Sequence, residues 1–182
     1  MALEPRLAEA HVNLGVWHER QGDAGGALRH YLAAVRAKDS LFAAHHNLGR
    51  LLMGHHTERA VAHLRRAVIL RPDDADAAAN LGEALWATGQ REEGIAALRR
   101  ALELRPRWAR AANRMAELLL EMTEEREGAA DEAARWADAA CRAVGYTQSR
   151  YLATLARAWE AAGRADRAEG ARLRARERSR RR

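Results

Sequence analysis

Residues 75–106, ADAAANLGEALWATGQREEGIAALRRALELRP, decide the fold. An apolar stripe runs through the first half, Gly89 marks a turn, and a second helical run follows in which Gly94, Leu98 and Ala101 recur at helical spacing. The stretch therefore reads as two short helices joined by a tight turn.

Working outward, the same pattern is found twice upstream. The tripeptide Asn-Leu-Gly at Asn80-Leu81-Gly82 also stands at Asn47-Leu48-Gly49 and Asn13-Leu14-Gly15, at intervals of 33 and 34 residues. The small positions of the second helix recur with it, as Ala27, Tyr31 and Ala34 and as Ala60, Leu64 and Ala67. A fixed period of this length is the mark of a stacked repeat, in which each unit buries its apolar face only against its neighbours. Helices of about 12 to 14 residues are marginal alone in water, so stacking is obligatory.

The pattern resembles the tetratricopeptide family, whose signature has Leu-Gly at positions 7 and 8, a turn glycine, alanine at 20 and 27, and proline at 32. Leu81, Gly82, Gly89, Ala101 and Pro106 stand where the family has them, and Gly94 replaces an alanine. Residues 8–41 form a first repeat, with Asp39 in place of the proline; residues 42–74 form a second, one residue short in its turn around Gly54 to Thr57. Residues 75–108 are the third. Residues 109–148 read as a degenerate fourth repeat with Met115-Ala116 for Leu-Gly and an insertion at 123–130, and residues 149–175 as a degenerate fifth and cap. Residues 1–7 share the register of Leu70-Arg71-Pro72 and read as the remnant of a preceding repeat, and residues 176–182 form a basic tail. The resemblance implies an all-α fold, a right-handed α-solenoid of antiparallel helical hairpins wound as a superhelix.

Composition agrees. Nearly half the residues are apolar, prolines number 3, and the single cysteine, Cys141, has no partner for an internal disulfide. No secretory signal opens the sequence and no apolar run approaches the roughly 20 residues of a membrane span, so the expectation is a cytoplasmic protein. The net charge of +6 is local: from Arg164 onward nine arginines face three acids, and residues 1–163 balance at 22 basic and 22 acidic groups.

In this family the first helix of each hairpin lines a concave groove. Carried onto this chain, that face presents Asn13, Asn47 and Asn80 at one repeat position. An asparagine amide both donates and accepts, so such a row pairs with the backbone of an extended peptide whatever its side chains are. The row resembles the asparagine ladders found within the family; the alternative is that these residues tie adjacent repeats together. Members that bind chaperone tails clamp a terminal carboxylate with basic or amide groups. The corresponding positions here are His46, Arg50, Asn80, Arg110 and Arg114, which depart from the usual lysines and asparagines but suit a carboxylate. The alternative is a set of solvated arginines balanced by Glu83 and Glu117. Trp86 is the expected aromatic anchor of the groove. Trp17, Trp136 and Trp159 fall on positions that pack within or between hairpins.

All eight histidines lie in the first two repeats, which raises the question of a metal. His11 and His45 share position 4, however, and His30 and His63 share position 23. Equivalent positions in stacked hairpins are held roughly 8–10 Å apart, too far for common ligation by zinc. No metal or other cofactor is expected. Phosphate loops, nucleophile elbows and metalloprotease helices are all missing, so an enzyme is not expected either, nor a small-molecule substrate. The expected partner is a protein or peptide. Alternatives are an electrostatic adaptor that touches nucleic acid or an anionic membrane through its arginine-rich end, and a substrate-recruiting segment of a larger enzyme or membrane protein.

Overall fold

A computed structural model describes residues 3–180, and side chains from 7 to 179. The ends of the expected remnant and of the basic tail, residues 1–2 and 181–182, lie outside the described residues, as do the side chains of residues 3–6 and 180. The described residues form ten helices and no strand. In order they are α1 (Leu3–Arg20), α2 (Ala24–Ala37), α3 (Phe42–Leu52), α4 (Thr57–Leu70), α5 (Ala75–Ala87), α6 (Arg91–Leu104), α7 (Ala109–Glu121), α8 (Ala129–Ala143), α9 (Ser149–Ala161) and α10 (Ala165–Arg180).

Local chemistry sets the ends of these helices. Asp23 and Asp74 cap α2 and α5 by accepting from the backbone N–H groups of Gly26 and Ala77, at 2.7 and 2.8 Å. Gly22, Gly89 and Gly163 occupy one position in three different hairpins, each with φ between 71° and 80°, the left-handed conformation that stops a helix and turns the chain. The second hairpin turns differently. Its α3 stops after 11 residues where α5 runs for 13, so the residue missing from this repeat comes out of the end of α3.

The chain divides into two compact units, Met1–Ala101 and Leu102–Arg182, with the boundary inside α6. In the first, α1 pairs with α2 and α3 with α4, while α2 also packs on α3 and α4 on α5. Its core holds Tyr31 and Ala34 of α2, Leu48 and Leu52 of α3, Leu64 of α4, and Leu81 and Leu85 of α5. Each leucine fully buried there contributes about 1.5–3 kcal/mol. In the second unit α7 pairs with α8, α8 with α9 and α9 with α10, around Met115, Leu118, Leu119, Cys141, Leu152 and Leu155.

One core expectation is overturned. Trp17 is 55% exposed, together with Leu14 and Leu7, because no described helix packs against that face of α1. Trp136 and Trp159 are half-buried.

Candidate functional site

The candidate site is the face formed by α1, α3 and α5 in the first unit, and side-chain bonds across these first helices show how closely they lie. Arg50 of α3 donates to Glu19 of α1 at 2.6 Å, and the same carboxylate oxygen accepts from the Tyr31 hydroxyl at 2.6 Å. One turn away, the Asn80 amide of α5 donates to His46 Nε2 of α3 at 2.9 Å. Accepting that bond leaves the proton of His46 on Nδ1. Burial holds its pKa below the ordinary histidine value, so the ring is neutral. Phe42 tilts against the same ring at 5.2 Å.

The three asparagines of the row differ in their surroundings. Asn13 is exposed and Asn47 half-buried, and neither amide has a hydrogen-bond partner among the described residues. Asn80 is half-buried and uses its NH2 group on His46, with its carbonyl oxygen left to accept. Trp86, at the far end of α5, is half-buried with the Arg91 guanidinium 5.4 Å above its ring.

The five residues of the carboxylate clamp fall in different units. His46, Arg50 and Asn80 belong to the first, where Arg50 is held by Glu19 and His46 by Asn80. Arg110 and Arg114 belong to the second, on α7; Arg110 is exposed, and Arg114 lies 3.6 Å from Glu117. Glu117 also accepts from the buried Asn113 amide at 2.6 Å, which leaves Asn113 Oδ1 without a partner.

The histidines hold a feature that comparison of like positions conceals. Positions 4 and 23 meet each other inside the hairpin: His11 Nδ1 lies 3.0 Å from His30 Nδ1, and His45 Nδ1 lies 3.1 Å from His63 Nδ1. In the second pair, His45 gives its Nε2 proton to the Asp39 carbonyl at 3.0 Å, so its Nδ1 accepts and His63 donates. Burial is the first cause of the lowered pKa of both His30 and His63; the neighbouring histidines add to it. His18 stacks on His30 at 5.1 Å and bonds to Asp23 at 2.9 Å. Among the described residues, no three or more histidine, cysteine or acidic side chains are grouped to hold a metal. Pairing position 4 with position 23 in each repeat, instead of comparing each position with itself, was the sequence signal for these contacts.

At the other end of the chain, Arg164 pairs with Asp131 at 2.8 Å and Arg172 with Glu160, while Arg164 and Arg167 lie over the Trp159 ring. No described helix is long and apolar enough to cross a membrane.

A family model described as tetratricopeptide repeat matches residues 51–118, which run from the end of α3 through α4, α5 and α6 into α7. Residues 51–118 carry tetratricopeptide repeats. Solved structures similar to this chain include MamA, with a TM-score of 0.84 and 23% identity over 94% of this chain and 91% of that one. A mutant O-GlcNAc transferase of Thermobaculum terrenum gives a TM-score of 0.66 and 29% identity over 78% of this chain and 27% of that one. YrrB, a tetratricopeptide-repeat protein with an unusual peptide-binding site, gives 0.77 and 18% over 91% and 82%. These likenesses agree with the all-helical hairpins described above in placing the chain in the α-solenoid class. No curated protein matches the sequence.

Proposed function

We propose that this chain is a protein-interaction scaffold that holds an extended peptide across α1, α3 and α5, gripping its backbone with Asn13, Asn47 and Asn80. The observation that carries this reading is the free state of the row. Asn13 and Asn47 keep both donor and acceptor unused, and Asn80 keeps its acceptor. The bond from Asn80 to His46 fits the competing role, a tie between repeats, at one of the three positions only. Half-exposed amides on successive first helices offer an incoming strand a bond at each repeat without reading its side chains. YrrB supplies a precedent for peptide binding on this fold, through fold likeness alone. Arg50 contributes to the shape of the face through Glu19, while Trp86 offers an apolar anchor at one end. The arginine-rich end, the alternative docking element, draws no support from the relatives found.

The test is affinity capture from native lysate with wild type and with Asn13→Ala, Asn47→Ala and Asn80→Ala combined. At about 0.5–1.5 kcal/mol for each hydrogen bond lost, the triple variant should hold its partner at least tenfold less tightly, with an unchanged circular dichroism spectrum. Equal capture by both proteins would remove the ladder.

A further inference from the structure

Two arginines of α10 stand apart from the ion pairs around them. The small residues Ala60 and Ala67 of α4 have their counterparts in Ala168 and Ala175 of α10, so Arg174 stands where Arg66 does, one place before the second alanine. Arg66 reaches back to the loop that precedes its hairpin and donates to Asp39 at 2.6 Å. Arg174 reaches back to the equivalent loop, residues 144–148, and lies 5.8 Å from the ring of Tyr146, where no carboxylate takes the place of Asp39. Two turns earlier on α10, Arg167 lies 4.9 Å from the Trp159 ring. Among the described residues no carboxylate pairs with either guanidinium, and both side chains are exposed.

Between these arginines lies a cleft of about 250 Å³, walled by α8, the loop of residues 144–148, α9 and α10. Leu152, Leu155 and Ala171 make its apolar floor, with Trp159 and Tyr146 at its sides. A second hollow of about 320 Å³ shares Tyr146 and Arg174 and runs on to Glu177 and Arg178, so the cleft is elongated. Two residues here are ones that folding alone does not favour. Gly170, between the arginines, sits inside α10, where glycine weakens a helix, yet a Cβ on it would meet nothing within 4 Å. The glycines inside other helices, such as Gly82 and Gly94, lie where a Cβ would touch a neighbour. What Gly170 preserves is the open space of the cleft. Tyr146, with φ of 55°, is the one non-glycine residue in the left-handed region among the described residues, and its hydroxyl donates to Asp138 at 2.6 Å. Asp138 also pairs with Arg142 at 3.2 Å, so its charge is engaged outside the cleft. We infer that the cleft holds an acidic segment of a partner protein, with one apolar side chain seated between Trp159 and Tyr146 and carboxylates on either side of it paired with Arg167 and Arg174. A guanidinium lying on an aromatic ring keeps its N–H edge open for a bidentate bond to a carboxylate. The two arginines start about 10 Å apart along the helix axis, at about 1.5 Å per residue, a span that about three residues of extended chain cover and a single small carboxylate does not.

The probe is a fluorescein-labelled Glu-Glu-Phe-Glu-Glu peptide, in which glutamates three places apart bracket the anchor, read by fluorescence anisotropy against the whole chain. Two control peptides carry glutamine for every glutamate, or serine for the phenylalanine. Wild type should bind the first peptide at least tenfold more tightly than either control. Arg167→Gln combined with Arg174→Gln should weaken binding at least tenfold, and Gly170→Leu, which fills the cleft and keeps both charges, should do the same. Gly170→Leu puts a good helix former at an exposed helical position, and circular dichroism confirms that both variants stay folded. The triple asparagine variant should bind the peptide as wild type does, so this cleft and the face on α1, α3 and α5 succeed or fail separately. Equal binding of the serine peptide would mean that the arginines attract any acidic chain, and equal binding by Gly170→Leu that the cleft is not used; either result overturns the inference. So does a single-stranded oligonucleotide that displaces the labelled peptide at lower concentration than the unlabelled peptide does, which would assign the arginines to phosphate.

Discussion

The first two hairpins and the third solve the same packing problem with different chemistry. In all three, glycine stands at position 8 of the first helix, and the second helix crosses closely over it. In the first hairpin Gly15 lies under the Tyr31 ring, and in the second Gly49 lies under the Leu64 side chain. In the third, Gly82 faces Gly94, and a Cβ on Gly82 would sit 2.9 Å from the Gly94 carbonyl oxygen and 3.1 Å from the Leu98 nitrogen. Backbone meets backbone there, whereas side chain covers backbone in the other two. Positions 4 and 23 follow suit: they are paired imidazoles in the first two hairpins, and Ala78 and Ala97 in the third. The third hairpin is therefore the tightest and is chemically inert, while the first two each carry a polar contact inside an apolar seam.

The largest expected effect breaks the tight end of this comparison. Gly82→Ala gains about 1 kcal/mol of helix propensity, yet its methyl group meets main chain that moves only if the whole hairpin opens. The net loss should be about 2–3 kcal/mol, in the range of overpacked cores. Gly15→Ala meets an aromatic ring instead, which can shift by rotation, and should cost about 1 kcal/mol. Urea denaturation of the two variants measures the difference; equal losses would mean that the close approach of α5 and α6 is not the distinguishing feature.

The next effect concerns the histidine pairs. His30 faces His11, His18 and Arg29, and His63 faces His45, Arg59 and Asp39; burial lowers the pKa of both histidines first, the neighbouring histidines and arginines lower it further, and Asp39 opposes them in part at His63. Above the ordinary histidine pKa, about 6.5, folded and unfolded chains are equally neutral at these sites. Below it, the unfolded chain takes up protons that the folded His30 and His63 refuse, so stability falls with falling pH until their lowered folded values are reached. Urea midpoints should drop between pH 7.5 and pH 5.5, a window that ends above the range of the carboxylates. Changing His11, His30, His45 and His63 to alanine copies the third hairpin and should remove more than half of that drop, the rest resting partly on His46. A wild-type midpoint that does not move across this window would show that His30 and His63 accept charge freely.

How far the sequence revealed this molecule depends on whether a feature is periodic. The helical class and the hairpin were legible because Gly22 and Gly89 recur at one position and Asn-Leu-Gly recurs at another, and both follow from geometry that every repeat shares. Trp17 misled because its position is buried in the average repeat, and burial at the outer face of α1 depends on a neighbour that a single-repeat pattern does not contain. The histidine contacts escaped because a period aligns position 4 with position 4, while an antiparallel hairpin brings position 4 against position 23. Arg50 illustrates a third limit. Its position implied an anion-binding role, but whether its charge is free depends on Glu19, 31 residues away on α1.

That arginine supplies the smallest and most selective test, because the junction of the first two hairpins is ionic and the next is neutral. Arg50 and Glu19 join α1 to α3 through charges, with Arg50 about half exposed; His46 and Asn80 join α3 to α5 through an uncharged hydrogen bond. Arg50→Ala should cost about 0.5–1 kcal/mol in dilute buffer, as expected for a partly solvated pair, and Asn80→Ala a similar amount for one hydrogen bond. In 1 M sodium chloride, where screening acts over about 3 Å, the Arg50→Ala effect should shrink toward zero while the Asn80→Ala effect persists. Thermal melts of both variants at two salt concentrations therefore separate junctions that look equally strong at one. If both effects survive salt, the Glu19 carboxylate is held chiefly by the Tyr31 hydroxyl, and Arg50 acts through the packing of its aliphatic stem.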